Sequence, residues 1–134
     1  MRVAIVLALA ASTLAIGGCS KKPTEGGVRL EQVSESFTAA GLKTDNFQPT
    51  DPSRFNATKC LAGRVDDIDT VVCEYGSTDA LALGKKAGEQ WVANATTAAV
   101  LGNGRTLLAV ADRAHSDPNG KTIHKITQAF SKTR

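Results

Sequence analysis

The stretch that decides the fold is CLAGRVDDIDTVVC, from Cys60 to Cys73. Two β-prone arms flank Asp66-Asp67, an order typical of a β-hairpin whose turn lies at the two aspartates. A hairpin centred there has a register of three facing pairs: Cys60 with Cys73, Ala62 with Val71, and Arg64 with Asp69. One register therefore brings two cysteines together and sets a positive side chain opposite a negative one, which favours this alignment over its neighbours.

The two cysteines of this hairpin are predicted to form a disulfide. Redox-active pairs are usually spaced C-x-x-C at a helix start, and a zinc site needs further cysteine or histidine at close spacing. Cys60 and Cys73 fit neither pattern. Because disulfides persist in oxidising compartments, the pair indicates a protein that works outside the cytoplasm. The chain has three cysteines in its 134 residues, so Cys19 is left without a partner.

The N-terminus has the pattern of an export signal. A short basic start at Met1-Arg2 precedes the apolar run Val3 to Ile16, which is shorter than the roughly 20 residues that a membrane-spanning helix needs. Two small residues then lead into Cys19. The stretch Ile16-Gly17-Gly18-Cys19 resembles the lipobox of bacterial lipoprotein precursors. The alternative is a plain secreted protein with a stray cysteine.

The lipobox resemblance implies where the mature protein sits. It implies that residues 1–18 are removed as a lipoprotein signal peptide and that Cys19, as the new N-terminus, carries a thioether-linked diacylglycerol with palmitate-type acyl chains. Ser20 after the cysteine, rather than Asp, is what this class shows for outer-membrane delivery. We therefore expect a cell-envelope protein held to the membrane by its lipid. In a cell with two membranes it would lie on the periplasmic face of the outer membrane.

Residues 19–27 are predicted to be the lipidated N-terminus and a linker, and residues 28–134 a single small domain. Ser20 to Gly27 (SKKPTEGG) has no apolar periodicity and contains proline and glycine. Eight flexible residues have an r.m.s. reach of about 15 Å, so the domain is expected to stay close to the membrane. Lys21 and Lys22 would lie at the headgroups, where each basic residue contributes about 1 kcal/mol on an anionic leaflet.

Three helices are predicted from apolar spacing and capping residues. The first starts near Val28 and ends at Gly41, the second is capped by Ser77 or Thr78, and the third has Asp117 as its N-cap and Pro118 as its first residue. Their inward faces are predicted to hold small or apolar side chains: Leu30, Val33, Phe37 and Ala40 in the first, Ala80, Gly84, Ala87, Gly88 and Trp91 in the second, and Ile123, Ile126 and Phe130 in the third.

A second hairpin is predicted around Asn103-Gly104, because this dipeptide favours a type I′ turn. Its register would set Val100 opposite Leu107 and Ala98 opposite Ala109. The fold class is therefore α+β, in the order α-β-β-α-β-β-α. We expect a mostly antiparallel four-stranded sheet with the helices packed on one face and one hairpin disulfide. A short strand around Phe47 would add one strand before the first hairpin.

Three groups of side chains are candidates for binding. Asp66, Asp67 and Asp69 could hold calcium or be a solvated hairpin tip, since calcium needs six to eight oxygen ligands. Lys121 and Lys125, with further cations at Lys132 and Arg134, could face anionic headgroups or an acidic partner, or be a solvated helix face. His115 and His124, the only histidines, could form a metal or acid–base pair if they lie close together in space, or be single exposed side chains.

The sequence contains no recognisable catalytic constellation. G-x-S-x-G and H-E-x-x-H are absent, and no thiol is left for a nucleophile. Without residues 1–18 the chain has 15 basic and 13 acidic residues, and the resulting net charge of +2 is too small to indicate nucleic-acid binding. We therefore expect no enzyme, no cofactor and no metal, but a lipid-anchored envelope lipoprotein that binds a protein, peptide or envelope component near the membrane. The alternative is a small-ligand or metal-binding periplasmic lipoprotein. The oligomeric state stays open.

Overall fold

The computed structural model describes residues 28–134. The predicted signal peptide, the lipobox-like stretch with Cys19 and the predicted linker with Lys21 and Lys22 lie outside the described residues. Within the described part, no helix is long and apolar enough to cross a membrane.

The described chain forms three helices, five strands and one short 3-10 helix. In chain order the elements are α1 (Leu30–Ala39), β1 (Thr44–Thr50), the 3-10 helix (Pro52–Phe55), β2 (Lys59–Val65), β3 (Ile68–Glu74), α2 (Thr78–Val92), β4 (Thr97–Asn103), β5 (Thr106–Asp112) and α3 (Lys121–Lys132). All strand pairs are antiparallel, in the spatial order β1-β2-β3-β5-β4. The α+β class is confirmed, but the sheet has five strands rather than four. The fifth is β1, which contains Phe47.

The hairpin of β2 and β3 has the predicted register. Cys60 pairs with Cys73, and the two other predicted pairs are also present. Asp66 and Asp67 have φ angles of 46° and 67°, as the two central residues of a type I′ turn require. Aspartate tolerates this left-handed conformation better than most residues, which explains why the turn lies there.

The helices pack on both faces of the sheet, so the prediction of one covered face is wrong. α1 and α3 share a core cluster with Val72, whereas residues of α2 pack against the cluster that contains Val71 and Cys73. Successive side chains of a strand point to opposite faces, so these clusters lie on opposite sides of β3. The reason is visible in β5, whose residues Thr106–Asp112 are all buried. Its five central residues, LLAVA, form an unbroken apolar run, which is typical of a strand covered on both faces.

The hairpin of β4 and β5 turns at Gly104 and Arg105, not at Asn103-Gly104 as predicted. Asn103 pairs with Thr106, so Val100 lies opposite Ala109, and Ala98 opposite Ala111. Asn103 stays in the strand because its side-chain Nδ2 donates to the backbone oxygens of Phe130 (3.1 Å) and Thr133 (3.0 Å) at the end of α3. The register moves by two residues, so every side chain keeps its predicted face.

Helix α2 begins as the sequence predicts. Ser77 is its N-cap, and the Ser77 Oγ accepts a hydrogen bond from the Ala80 N–H at 3.1 Å. The small-residue face lets the ring of Tyr75 lie against Gly84, where an added Cβ would overlap the ring. The Tyr75 hydroxyl donates to the Phe55 oxygen at 2.9 Å, and burial raises the pKa of Tyr75 to about 12. The ring is thus held in place from two sides.

We expect Gly84→Ala to lower the free energy of unfolding by about 2 kcal/mol, although alanine favours a helix over glycine by about 1 kcal/mol. The cause is the overlap of the new methyl group with the Tyr75 ring, which its hydrogen bond to Phe55 keeps from moving aside. Urea unfolding of both proteins measures the difference. The control is Gly76→Ala, because a Cβ added there meets no atom within 4 Å. A stabilised Gly84→Ala protein would contradict the packing described for α2.

Candidate functional site

The two hairpin cysteines form a structural disulfide. Their sulfur atoms are 2.00 Å apart, and each residue is only 1% exposed. They lie in the same apolar cluster as Phe55, Val71 and Tyr75. The predicted Cys60–Cys73 disulfide is therefore confirmed, and its burial identifies it as part of the core rather than as a reactive pair.

The acidic hairpin tip is tied into the surrounding chain. The Asp66 Oδ1 accepts a hydrogen bond from the Lys43 N–H at 2.8 Å, and the Asp66 N–H donates to the Lys43 oxygen at 2.9 Å. Asp69 lies on the flank of the hairpin and forms ion pairs with Arg64 (3.3 Å) and Arg113 (3.0 Å). Among the described residues, Asp67 is exposed and forms no such contact. The three carboxylates therefore do not converge on one point.

Residues 28–134 hold no group of three or more His, Cys, Asp or Glu side chains that could bind a metal ion. His115 bonds through its Nδ1 to the Thr96 hydroxyl, and His124 lies on the exposed side of α3. No observation thus favours the calcium interpretation of the hairpin tip or a histidine metal site. The predictions that the chain has no metal, no cofactor and no catalytic residues stay predictions.

Arg113 joins two parts of the structure, a role that its position in the sequence did not reveal. Its guanidinium lies over the Trp91 ring, 4.3 Å from the centroid, and its Nη2 donates to the Trp91 backbone oxygen. The Arg113 Nη1 forms an ion pair with the carboxylate of Asp69 on β3. The Trp91 ring also meets Phe55 edge-on, with centroids 6.1 Å apart. Arg113 therefore connects the end of α2 to β3 and covers the aromatic pair.

The first turn of α3 depends on two buried carboxylates, Asp112 and Asp117. Asp112 is 0% exposed and accepts hydrogen bonds from the Asp117 N–H (2.8 Å), the Ser116 N–H (3.0 Å) and the Ser116 hydroxyl (3.2 Å). Asp117 is 6% exposed, and its Oδ2 accepts from the Ile123 N–H at 2.9 Å. The prediction that Asp117 and Pro118 open the helix is wrong, because α3 begins at Lys121 with Gly120 as its N-cap. Asp117 still satisfies a helix N–H, but from outside the helix.

Asp112 is held ionised by these neighbours. Burial, the largest single influence, raises the pKa of its carboxyl, but the hydrogen bonds from Asp117 and Ser116 and the nearby charge of His115 together lower the pKa below its ordinary value. A lowered folded-state pKa means that ionised Asp112 stabilises the fold above the pKa of the unfolded chain. That contribution is lost as the pH falls through the folded-state pKa.

Lys121 and Lys125 are exposed on α3. They lie four residues apart on the helix, and Lys132 continues the same stripe, so the three cations share one side. The described ion pairs involve none of the three. The prediction that Lys121 and Lys125 bind an anionic surface or an acidic partner stays a prediction.

The end of the sheet at which the described chain begins has a distinct charge. The Val28 oxygen accepts a hydrogen bond from the buried Thr106 hydroxyl (2.6 Å), and the Leu30 N–H donates to the Glu74 Oε1 (3.1 Å). We call this the anchor end, because the predicted lipid anchor lies on the stretch of chain just before Val28. The hairpin turn at Gly104-Arg105 and the C-terminus of α3 lie there too. The cations at this end are Arg29, Arg54, Lys59, Arg105, Lys132 and Arg134, and the carboxylates are Glu31, Asp51, Glu74 and Asp79.

The opposite end of the strands, which we call the acidic end, holds the Asp66-Asp67 turn. β2 and β4 run in opposite senses along the sheet, so the end of β2 and the start of β4 lie at this end. The carboxylates there are Asp45, Asp66, Asp67, Asp69, Asp112 and Asp117, and the cations are Lys43, Arg64, Arg113 and Lys121. Cations thus outnumber carboxylates at the anchor end, whereas carboxylates outnumber cations at the acidic end.

Comparisons of this chain with protein-family models, with curated proteins and with solved structures found no match.

We expect Asp112→Asn to lower the melting temperature by several degrees at pH 7, because the charged acceptor of three hydrogen bonds is replaced by a neutral one with fewer lone pairs. The difference from the unmodified protein should shrink below about pH 3.9, where the unfolded carboxyl takes up its proton. Thermal unfolding from pH 2.5 to 8 measures both effects. The control is Asp67→Asn at the exposed turn, which should change little. A difference independent of pH would contradict the ionised state of Asp112.

Proposed function

We propose that this chain is a lipid-anchored, non-catalytic bacterial envelope lipoprotein whose small domain binds a protein, peptide or envelope component near the membrane. Its anchor is the diacylglycerol on Cys19, implied by the lipobox resemblance of residues 16–19. In a cell with two membranes it lies on the periplasmic face of the outer membrane.

The observation that carries the proposal is the attachment of Val28 to the sheet. Val28 is 3% exposed and its backbone oxygen accepts a hydrogen bond from Thr106, so the sheet already holds the chain at this residue. Only Ser20 to Gly27 are then left between the lipid and the domain. Their r.m.s. reach of about 15 Å is less than the length of one seven-residue strand, about 24 Å. The partner is therefore one that lies at the membrane or comes to it.

The charge of the anchor end supports the same conclusion. Arg105, Lys132 and Arg134 lie near the point where the chain leaves the domain, and Lys59 beside them is paired with Glu31 at 2.8 Å. Basic residues next to an anionic bilayer each contribute about 1 kcal/mol of attraction. Lipid and cations thus act at one end of the domain. Asp66 and Asp69 at the acidic hairpin are engaged within the chain, which favours recognition by surface contact over metal binding.

Photo-crosslinking in living cells tests this function. A crosslinking amino acid is placed at exposed positions of the full-length chain, with and without Cys19→Ala. We expect the unmodified chain to incorporate labelled fatty acid, to float with membranes and to crosslink reproducibly to one partner. Cys19→Ala should lose the label, the flotation and the partner together, because the domain leaves the membrane.

The matched control is Ser20→Ala, which alters the neighbouring residue and should keep the fatty-acid label. Retained labelling of Cys19→Ala would overturn the lipid anchor. Failure to find a reproducible partner at any exposed position, with labelling intact, would overturn the binding function while leaving the anchor in place.

A further inference from the structure

The two edges of the sheet differ in how well they resist pairing with another strand. At β1 the register shifts between Asp45 and Gln48, Asn46 has a φ of 53°, and Pro49 removes one N–H. A bulge, a charge and a proline are the usual means by which an edge strand is blocked. β4 has none of them. Its seven residues, TAAVLGN, are uncharged and keep an unbroken register with β5.

β4 has hydrogen-bonding groups free along its outer side. The two-residue turn at Gly104-Arg105 makes Asn103 and Thr106 a hydrogen-bonded pair, so alternate residues of β4 bond to β5. Ala98, Val100 and Gly102 consequently direct their N–H and C=O groups outward. No described strand pairs with β4 on that side. Ala98 and Gly102 are exposed, and Val100 is half-buried beneath α2.

We infer that β4 pairs with β4 of a second copy of this chain, antiparallel and centred on Val100, to form one continuous sheet of ten strands. In this register the outward-facing residues meet one another: Val100 lies opposite Val100 of the second copy, and Ala98 opposite Gly102. Every meeting residue is small and uncharged, so the edge is complementary to itself in size and in charge. A two-fold axis through Val100 makes the contact isologous and closed, which limits the assembly to a dimer.

The helices on both faces extend this contact. α2 and α3 each pack over β4 as well as β5. A helix over this strand pair lies about 5 Å from the proposed axis, given a strand spacing of about 4.8 Å. Each helix and its copy are then about 10 Å apart, a normal packing distance. Lys85 of α2 already lies along Gly102, its Cε 3.1 Å from where a Cβ would stand.

The polarity of the domain favours the antiparallel arrangement. The antiparallel arrangement places the anchor end of one copy beside the acidic end of the other. Arg105 and Arg134 of one copy then approach the acidic end of the second copy. The two Val28 residues leave at opposite ends of the joined sheet. Both linkers reach one membrane when the strands lie along its surface, so the dimer is compatible with two lipid anchors.

Thiol crosslinking of the purified full-length chain tests the pairing. Val100→Cys lies on the proposed axis, where the two Cβ atoms would be about 5 Å apart, within reach of a short bis-maleimide. We expect Val100→Cys to form a covalent dimer and Gln48→Cys, on the blocked edge, to stay monomeric. Absence of a Val100→Cys dimer, or equal dimer from both variants, would overturn the proposal. If a strand from another part of the same chain paired with β4 instead, the Val100→Cys dimer would be absent.

A charge at the edge provides a second measurement. Ala98→Lys sets a cation beside Gly102 and Lys85 of the other copy, twice per dimer, and should weaken dimerisation about tenfold in sedimentation velocity. Gln48→Lys adds the same charge at the other edge and should have no effect. Circular dichroism checks that both variants are folded. A folded Ala98→Lys protein with unchanged dimerisation would overturn the pairing. If Ala98→Lys does not fold, the crosslinking of Val100→Cys remains the test.

Discussion

The register of the β2–β3 hairpin is the constraint on which the rest of the structure depends. The turn at Asp66-Asp67 and the disulfide between Cys60 and Cys73 hold its two ends. Because side chains alternate along a strand, this one alignment decides which residues of β3 face each way. β1 then pairs on one side and β5 on the other. A slip of one residue would expose both apolar clusters.

The two faces of the sheet are closed by different means. On one face α1 and α3 cover Val72 and Leu108, and α3 is fixed at both ends by Asp117 and Asn103. On the other face α2 lies close because of its glycines, and Arg113 connects its end to β3. The fold thus uses few aromatic side chains. The helices are held instead by hydrogen bonds at the ends of α3 and by the close approach of the α2 backbone to the sheet.

The sequence predicted what local chemistry decides and missed what distant contacts decide. The first hairpin, its disulfide and the Ser77 cap follow from neighbouring residues. The turn of the second hairpin could not be read from Asn103-Gly104, because Asn103 is held in its strand by Phe130 and Thr133, far along the chain. Asp117 likewise reaches Ile123 from outside α3. The sequence did contain a signal for the second covered face. A strand with one exposed face alternates apolar and polar residues, whereas the centre of β5 is apolar throughout.

Two of the three cysteines join the hairpin, and we propose that the third carries the lipid. Mass spectrometry of the chain purified from cells, alkylated without reduction and digested with trypsin, tests it most directly. We expect the peptide Cys60 to Arg64 to be linked to the peptide Val65 to Lys85, and Cys19 to appear at the N-terminus with its diacylglycerol. A disulfide between Cys19 and either hairpin cysteine would contradict it, as would an alkylated Cys60 or Cys73.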